Sequence, residues 1–215
     1  QFRKEYGDNN CGDRSFGRHV FATGGFLDDA YFNRTYWMNS ETWPGFHLAN
    51  RSAKAGQILT VDENNTYAIQ AFPRRNVQSP LFTPGEQGYL LFADDNENEP
   101  VIPDYTRGVP KGIGFTRVNP PEWFHWIPIR VRAMVAAENA LFIAGPPDVL
   151  KEGDPMASFD GRMGAELWAV SKQTGETISE IHLDAPPIFD GMSAAAGGLF
   201  VSTTDGKVIC YGADK

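Results

Sequence analysis

Met134-Val-Ala-Ala-Glu-Asn-Ala-Leu-Phe-Ile143 and Met192-Ser-Ala-Ala-Ala-Gly-Gly-Leu-Phe-Val201 are two copies of one segment, 58 residues apart and aligned without a gap. Met, Ala, Ala, Leu and Phe coincide, Ile143 matches Val201, and each copy breaks at the same point. Two short apolar-alternating runs around a small or polar break read as a pair of strands joined by a tight turn. A repeated hairpin is the signature of a fold built from stacked or arrayed units.

Working outward, Glu166–Ser171 reads as a strand, followed by a Lys172-Gln-Thr-Gly175 turn and an alternating run, Thr177–Leu183. After Pro186-Pro187 come Met192–Ala196, a Gly197-Gly198 turn, Leu199–Thr203, an Asp205-Gly206 turn and Lys207–Tyr211. Short strands with glycine-containing turns across residues 166–211 read as one blade of a β-propeller. The offset of 58 exceeds the usual blade period of about 40–50 residues. The Pro- and Gly-rich stretch Gly145–Met163 accounts for the excess as a surface loop. Gln57–Asp62 and Thr66–Ile69 repeat the strand, turn, strand pattern more weakly, and His19–Phe26 and Gly88–Ala93 are further strand candidates. No window keeps a 3.6-residue apolar period, which argues against an α/β fold.

The expected fold class is therefore all-β, with propeller blades of four antiparallel strands and about three blades in this chain. Closed propellers have roughly four to eight blades, so the ring is expected to be completed by other sequence from the same or another polypeptide. The expected organisation is an N-terminal extension over 1–18, propeller blades with long loops over 19–128, and C-terminal blades over 129–215.

Composition bounds the function. Of 215 residues, 41% are hydrophobic and 21% charged, the balance of a folded chain. The net charge of −8 and the scattered basic residues argue against nucleic acid as a partner. No run of about 18 apolar residues is present, so no membrane span is expected. The chain opens Gln1-Phe2-Arg3 with neither a signal peptide nor an initiating Met, so residue 1 is not expected to be the start of translation. Cys11 and Cys210 would be bridged in an oxidising compartment or remain separate thiols.

The segment around Trp168 resembles the PQQ-like (quinoprotein-type) propeller repeat, whose pattern is A-x-D-x-x-T-G-x-x-x-W. Ala169, Thr174 and Gly175 fall in register, Ser171 stands for the Asp and Ser179 for the Trp. Ala185–Met192 and Leu199–Val208 look like the next strands of that repeat. Gly25–Trp37 and Ala144–Asp148 resemble segments of large exported PQQ-like proteins of environmental bacteria, where they form the C-terminal part of a longer chain. The resemblance implies an exported location: periplasmic, cell-surface or extracellular. It also implies docking of blade on blade through the Trp, a role expected to pass here to Trp168. It implies no cofactor, since the vicinal cysteine pair of true quinoprotein dehydrogenases is missing and PQQ is not expected.

Three segments are candidate sites. Asp28, Asp29, Arg34, Tyr36 and Trp37 combine carboxylates, a guanidinium and rings that could line a groove for a flat ligand such as a sugar; the alternative is a blade-edge strand with core aromatics. Trp123 and Trp126, in Trp-Phe-His-Trp, would anchor a protein partner or glycan if exposed and pack between blades if buried. Asp94, Asn96 and Asn98 alternate as calcium ligands might, or form a solvated acidic turn. The four histidines show no metal-ligand spacing, and no nucleophile or phosphate-loop motif occurs. The expected function is a non-catalytic scaffold or interaction module of a larger exported assembly. Its partners are the remaining blades and a protein. The alternatives are part of a degenerate quinoprotein oxidoreductase with its active site elsewhere, and a carbohydrate-binding propeller.

Overall fold

The computed structural model describes residues 18–22, 37–41, 54–70, 88–99 and 118–212. Every regular element among them is a strand, and the strands pair antiparallel. The all-β expectation therefore holds, with two four-stranded and two three-stranded sheets among the described residues. The chain divides into two units, residues 1–82 with 90–124 and residues 83–89 with 125–215, so the Tyr89–Asp95 and Trp123–Ile127 strands each cross the division.

In the first unit, β1 (His19–Ala22), β2 (Trp37–Ser40) and β3 (Ala55–Gly56) form one sheet in that order. Next, β4 (Ile58–Val61) and β5 (Asn65–Gln70) make the hairpin expected from Gln57–Ile69. Asp62 closes its turn, accepting from the backbone N–H groups of Asn64 and Asn65 at 3.1 and 2.8 Å. β6 (Tyr89–Asp95) pairs with β5, and β7 (Trp123–Ile127) completes the sheet order β4-β5-β6-β7. Tyr67, Ile69, Leu90, Leu91 and Phe92 are fully buried there.

In the second unit, β8 (Ala133–Ala136), β9 (Ala140–Gly145), β10 (Ala165–Ser171) and β11 (Thr177–Leu183) form a meander of four strands. β12 (Pro187–Ala195), β13 (Gly198–Thr203) and β14 (Val208–Gly212) form the next sheet. The single blade expected over 166–211 is thus divided between two sheets, with the boundary after Leu183. Its physical cause is Pro186-Pro187: neither residue has an N–H to give a ladder, so β12 cannot continue the sheet of β11. Instead Pro186 offers its carbonyl to the N–H of Thr204 at 2.8 Å.

The two copies of the repeated segment fold into equivalent hairpins in the same register. Met134 lies opposite Ile143 as Met192 lies opposite Val201, and Val135 opposite Phe142 as Ser193 lies opposite Phe200. The sheets meet through Ala133, Ala144, Ala165, Leu167 and Leu183 on one side and Met192, Leu199 and Val201 on the other. The register of β12 shifts between Pro187 and Met192, and within that stretch the Asp190 N–H reaches the Arg132 carbonyl at 2.8 Å, tying the second sheet to the start of the first.

Two turns show how residue choice sets local shape. Ser171 occupies the Asp position of the repeat pattern, and its Oγ accepts from the N–H groups of Gln173 and Thr174, both at 3.3 Å. Between β12 and β13 the two-residue loop Ala196-Gly197 has positive φ at both positions, 50° and 75°. That is the type I′ hairpin, which favours Asn-Gly. Ala196→Asn should therefore raise the unfolding free energy by about 0.5–1 kcal/mol, read by denaturant titration. Unchanged or lower stability would contradict this account of the turn.

Candidate interaction surface

The last sheet presents two faces of different character. On one, Met192, Ala194, Leu199, Val201 and Tyr211 turn toward the first sheet of the unit. On the other lie Ser193, Phe200 and Cys210 in one cross-strand row and Ser202 and Val208 in the next. Phe200, Cys210 and Val208 are exposed, Val208 by 69%. Gly198 lets the Phe200 ring lie close: a Cβ there would stand 3.4 Å from the ring edge and 3.3 Å from the Cys210 sulfur. These two rows are uncharged, small-residued and apolar, and sheet faces of that kind pack against other sheets.

The repeat gives this face its meaning. Position by position, Phe200 corresponds to Phe142, Ser193 to Val135 and Ser202 to Ala144. In the first sheet, Val135, Phe142 and Ala144 are on the face that receives the second sheet. The opposite face of the first sheet carries Met134, Leu141 and Ile143, all buried, and these match Met192, Leu199 and Val201. Each sheet thus has a Phe face and a Met face. The Phe face of the first sheet is covered by the Met face of the second, while the Phe face of the second is exposed.

Trp168 does not replace the repeat's Trp in this packing. It pairs with Glu180 and Ile143, on the opposite face of β10 from Ala169 and Ser179. Strand alternation puts neighbouring residues on opposite faces, so Trp168 cannot serve where Ser179 stands. Smaller residues line that place instead.

Of the sequence-derived candidates, Asp28, Asp29, Arg34 and Tyr36 lie outside the described residues, as does Cys11. Trp37 is half-buried in β2. Trp123 is buried in β7 with its ring centroid 6.2 Å from that of Tyr67, so it packs as core instead of facing solvent. Trp126 is half-buried, and Cys210 is an exposed free thiol.

Asp94, Asn96 and Asn98 turn inward as the centre of a polar cluster in the first unit. The Asn96 amide oxygen accepts from Thr66 Oγ1 at 2.7 Å and Asn39 Nδ2 at 3.1 Å, and its amide nitrogen donates to the Asp62 carbonyl at 3.0 Å. The Asn98 oxygen accepts from the N–H groups of Val118 and Asn119, and its nitrogen donates to Asp94 Oδ1 at 2.8 Å. These amides brace neighbouring loops, so the segment is not a solvated acidic turn. Among the described residues no three His, Cys, Asp or Glu side chains converge as metal ligands.

Beside them Lys54, fully buried and with φ of 55°, donates to the Asn96 carbonyl at 2.5 Å and to Glu99 Oε1 at 3.0 Å. Glu99 Oε2 in turn accepts from Ser40 Oγ at 2.5 Å and the Glu41 N–H at 3.0 Å. Burial pulls the Lys54 ammonium below the ordinary lysine range, against the opposing pull of Glu99. Burial pushes the Tyr67 hydroxyl up to about 12. The cluster's contacts tie β2, β5 and the segment after β6 together.

The Phe200 surface was not among the sequence-derived candidates. The signal was present: Leu199-Phe200-Val201 alternates, and its match to Leu141-Phe142-Ile143 already pairs one Phe with the other.

No family model matches the chain, and no curated protein is similar to it at a significant level. Among solved structures it is similar to the computationally designed Ika4 protein, with 9% identity and a TM-score of 0.32 over 71% of this chain and 88% of that one. A likeness so slight carries no argument.

Proposed function

We propose that this chain is a non-catalytic module of a PQQ-like β-propeller, holding and presenting sheets within a larger exported assembly. The observation that carries the reading is the exposed Phe face of the last sheet, equivalent through the repeat to a face already covered by a sheet. A further sheet with a Met-type face, rich in Met, Leu and Val, would dock there as β12–β14 dock on β8–β11. Such head-to-tail stacking of like sheets is how blades of a propeller succeed one another. The four-stranded meander β8–β11 and the PQQ-like turn at Ser171–Gly175 are consistent with it.

Cys210 reports on the prediction, because its thiol sits beside Phe200 on the exposed face. Maleimide labelling, mapped to the Cys210 peptide, should be complete within minutes in the isolated chain. In native material extracted from the source it should be at least tenfold slower, because a neighbouring sheet covers the thiol. Equal rates in the two preparations would overturn the proposal.

A further inference from the structure

Where the two sheets of the second unit diverge, at the end opposite their Ala133–Leu183–Met192 contact, they leave a pocket of about 580 Å³. Small-molecule sites run from roughly 300 to 1,000 Å³. Its walls are small: Ala169 and Ser179 on one sheet, Ala194 on the other, with Phe142 and Leu199 beneath and Tyr211 at the side. Packed sheets stand about 10 Å apart when filled by ordinary side chains. Alanine and serine leave that spacing partly unfilled, and because Ser179 and Ala194 are exposed, what remains is an open-mouthed slot with mostly apolar walls.

The slot's polar equipment is sparse. Ser179 and Tyr211 each offer a hydroxyl, and neither makes a hydrogen bond to another described residue. Among the described residues, Glu138 is the one formally charged residue in the lining. Beside it the Lys172 ammonium donates to the Ala137 and Glu138 carbonyls at 3.0 and 3.2 Å, so the margin carries one charge of each sign and favours a neutral ligand, and a flexible polar chain would leave most of its groups unpaired. A rigid ring pays little conformational entropy on entering and recovers apolar contact on both sides.

We propose that this slot is a binding site for a small, neutral, flat one- or two-ring compound carrying one hydrogen-bonding group. Its rings lie between Ala169 and Ala194, and its polar group meets the Ser179 or Tyr211 hydroxyl. The site is independent of the docking face, because Leu199 and Phe200 point to opposite sides of β13.

The test uses prodan, a neutral, flat, two-ring probe with one carbonyl acceptor, added to the purified chain. Its emission should rise saturably with a stoichiometry of one per chain. Ser179→Phe fills the slot from one wall and Ala194→Leu from the other; each should weaken binding at least tenfold while the melting temperature holds or rises. Phe200→Ser, on the docking face, should leave binding unchanged. Absence of saturable binding to the unsubstituted chain would overturn the proposal. So would binding that survives both slot-filling changes, or binding lost with Phe200→Ser. Should Ser179→Phe fail to fold, Ala194→Leu alone decides.

Discussion

Glu99→Ala should lower the unfolding free energy by about 3 kcal/mol at neutral pH, the low end of what breaking a buried ion pair costs. The low end applies because the Glu99 side chain keeps 25% of its exposure while that of Lys54 keeps none. Its loss strands the Lys54 ammonium with the Asn96 carbonyl and removes the acceptor of Ser40 and the Glu41 N–H. The loss should also depend on pH with a definite sign. Lys54 releases its proton in the folded state at a lower pH than its ordinary 10.5, so between those values the unfolded chain binds more protons. Stability from this group therefore rises with pH across that window. Glu99 opposes the effect by holding the proton on; without it the folded value falls further and the rise begins earlier. The gap between the original chain and Glu99→Ala should narrow as pH climbs from 7 toward about 10, because a neutral lysine no longer needs the carboxylate. Denaturant titrations at several pH values read this directly. A gap below about 1 kcal/mol, or one constant with pH, would refute the buried-pair account.

Gly145→Ala should be more damaging, costing about 4 kcal/mol or preventing the second unit from folding. A Cβ there would lie 2.0 Å from the Arg130 carbonyl oxygen, 2.7 Å from its carbon and 3.0 Å from the Val131 Cα. All three are backbone atoms in a stretch that cannot step aside. The Arg130 N–H binds the Pro146 carbonyl and the Arg132 N–H the Ala144 carbonyl, both at 2.8 Å. On its other side β9 is held by β10, with Gly145 opposite Glu166. Relief of the clash would have to break one ladder or the other. Gly212→Ala is the control, since nothing lies within 4 Å of a Cβ there and its φ needs no glycine. It should change stability by less than about 0.5 kcal/mol. Comparable losses for the two substitutions would refute the steric explanation.

These two positions mark how far the sequence could be read. Strand type was legible wherever alternation met a turn residue, as at Asn65–Gln70 and Ala140–Gly145. The hairpin register of 192–201 followed from its match to 134–143, because a slip of one residue would turn every side chain to the wrong face. Which strands share a sheet was not legible: the spacing of 166–211 looks the same whether Pro186-Pro187 is a turn within one sheet or a break between two. The roles of Asp94, Asn96 and Asn98 were hidden for a different reason. Alternating oxygen-bearing residues look alike whether they face a cation or the N–H groups of a distant loop, and Val118 and Asn119 are remote in sequence. The need for glycine at Gly145 was invisible too, because its cause is the backbone of Arg130 lying against it.

The Phe and Met faces also bear on how the molecule can multiply. A stacking piece with both faces free has a valence of two and, in a concentrated solution, grows into filaments. Here the Met134–Leu141–Ile143 face is already buried within the chain, while the Phe200 face is open. Of the two faces that the repeat makes equivalent to a docking pair, only the Phe face of the last sheet is open to a neighbour. Two copies meeting through this surface would set Phe200 against Phe200, a pairing the repeat nowhere uses. On the function proposed above, this face would take one neighbouring sheet per chain, and stoichiometry would then limit assembly through it.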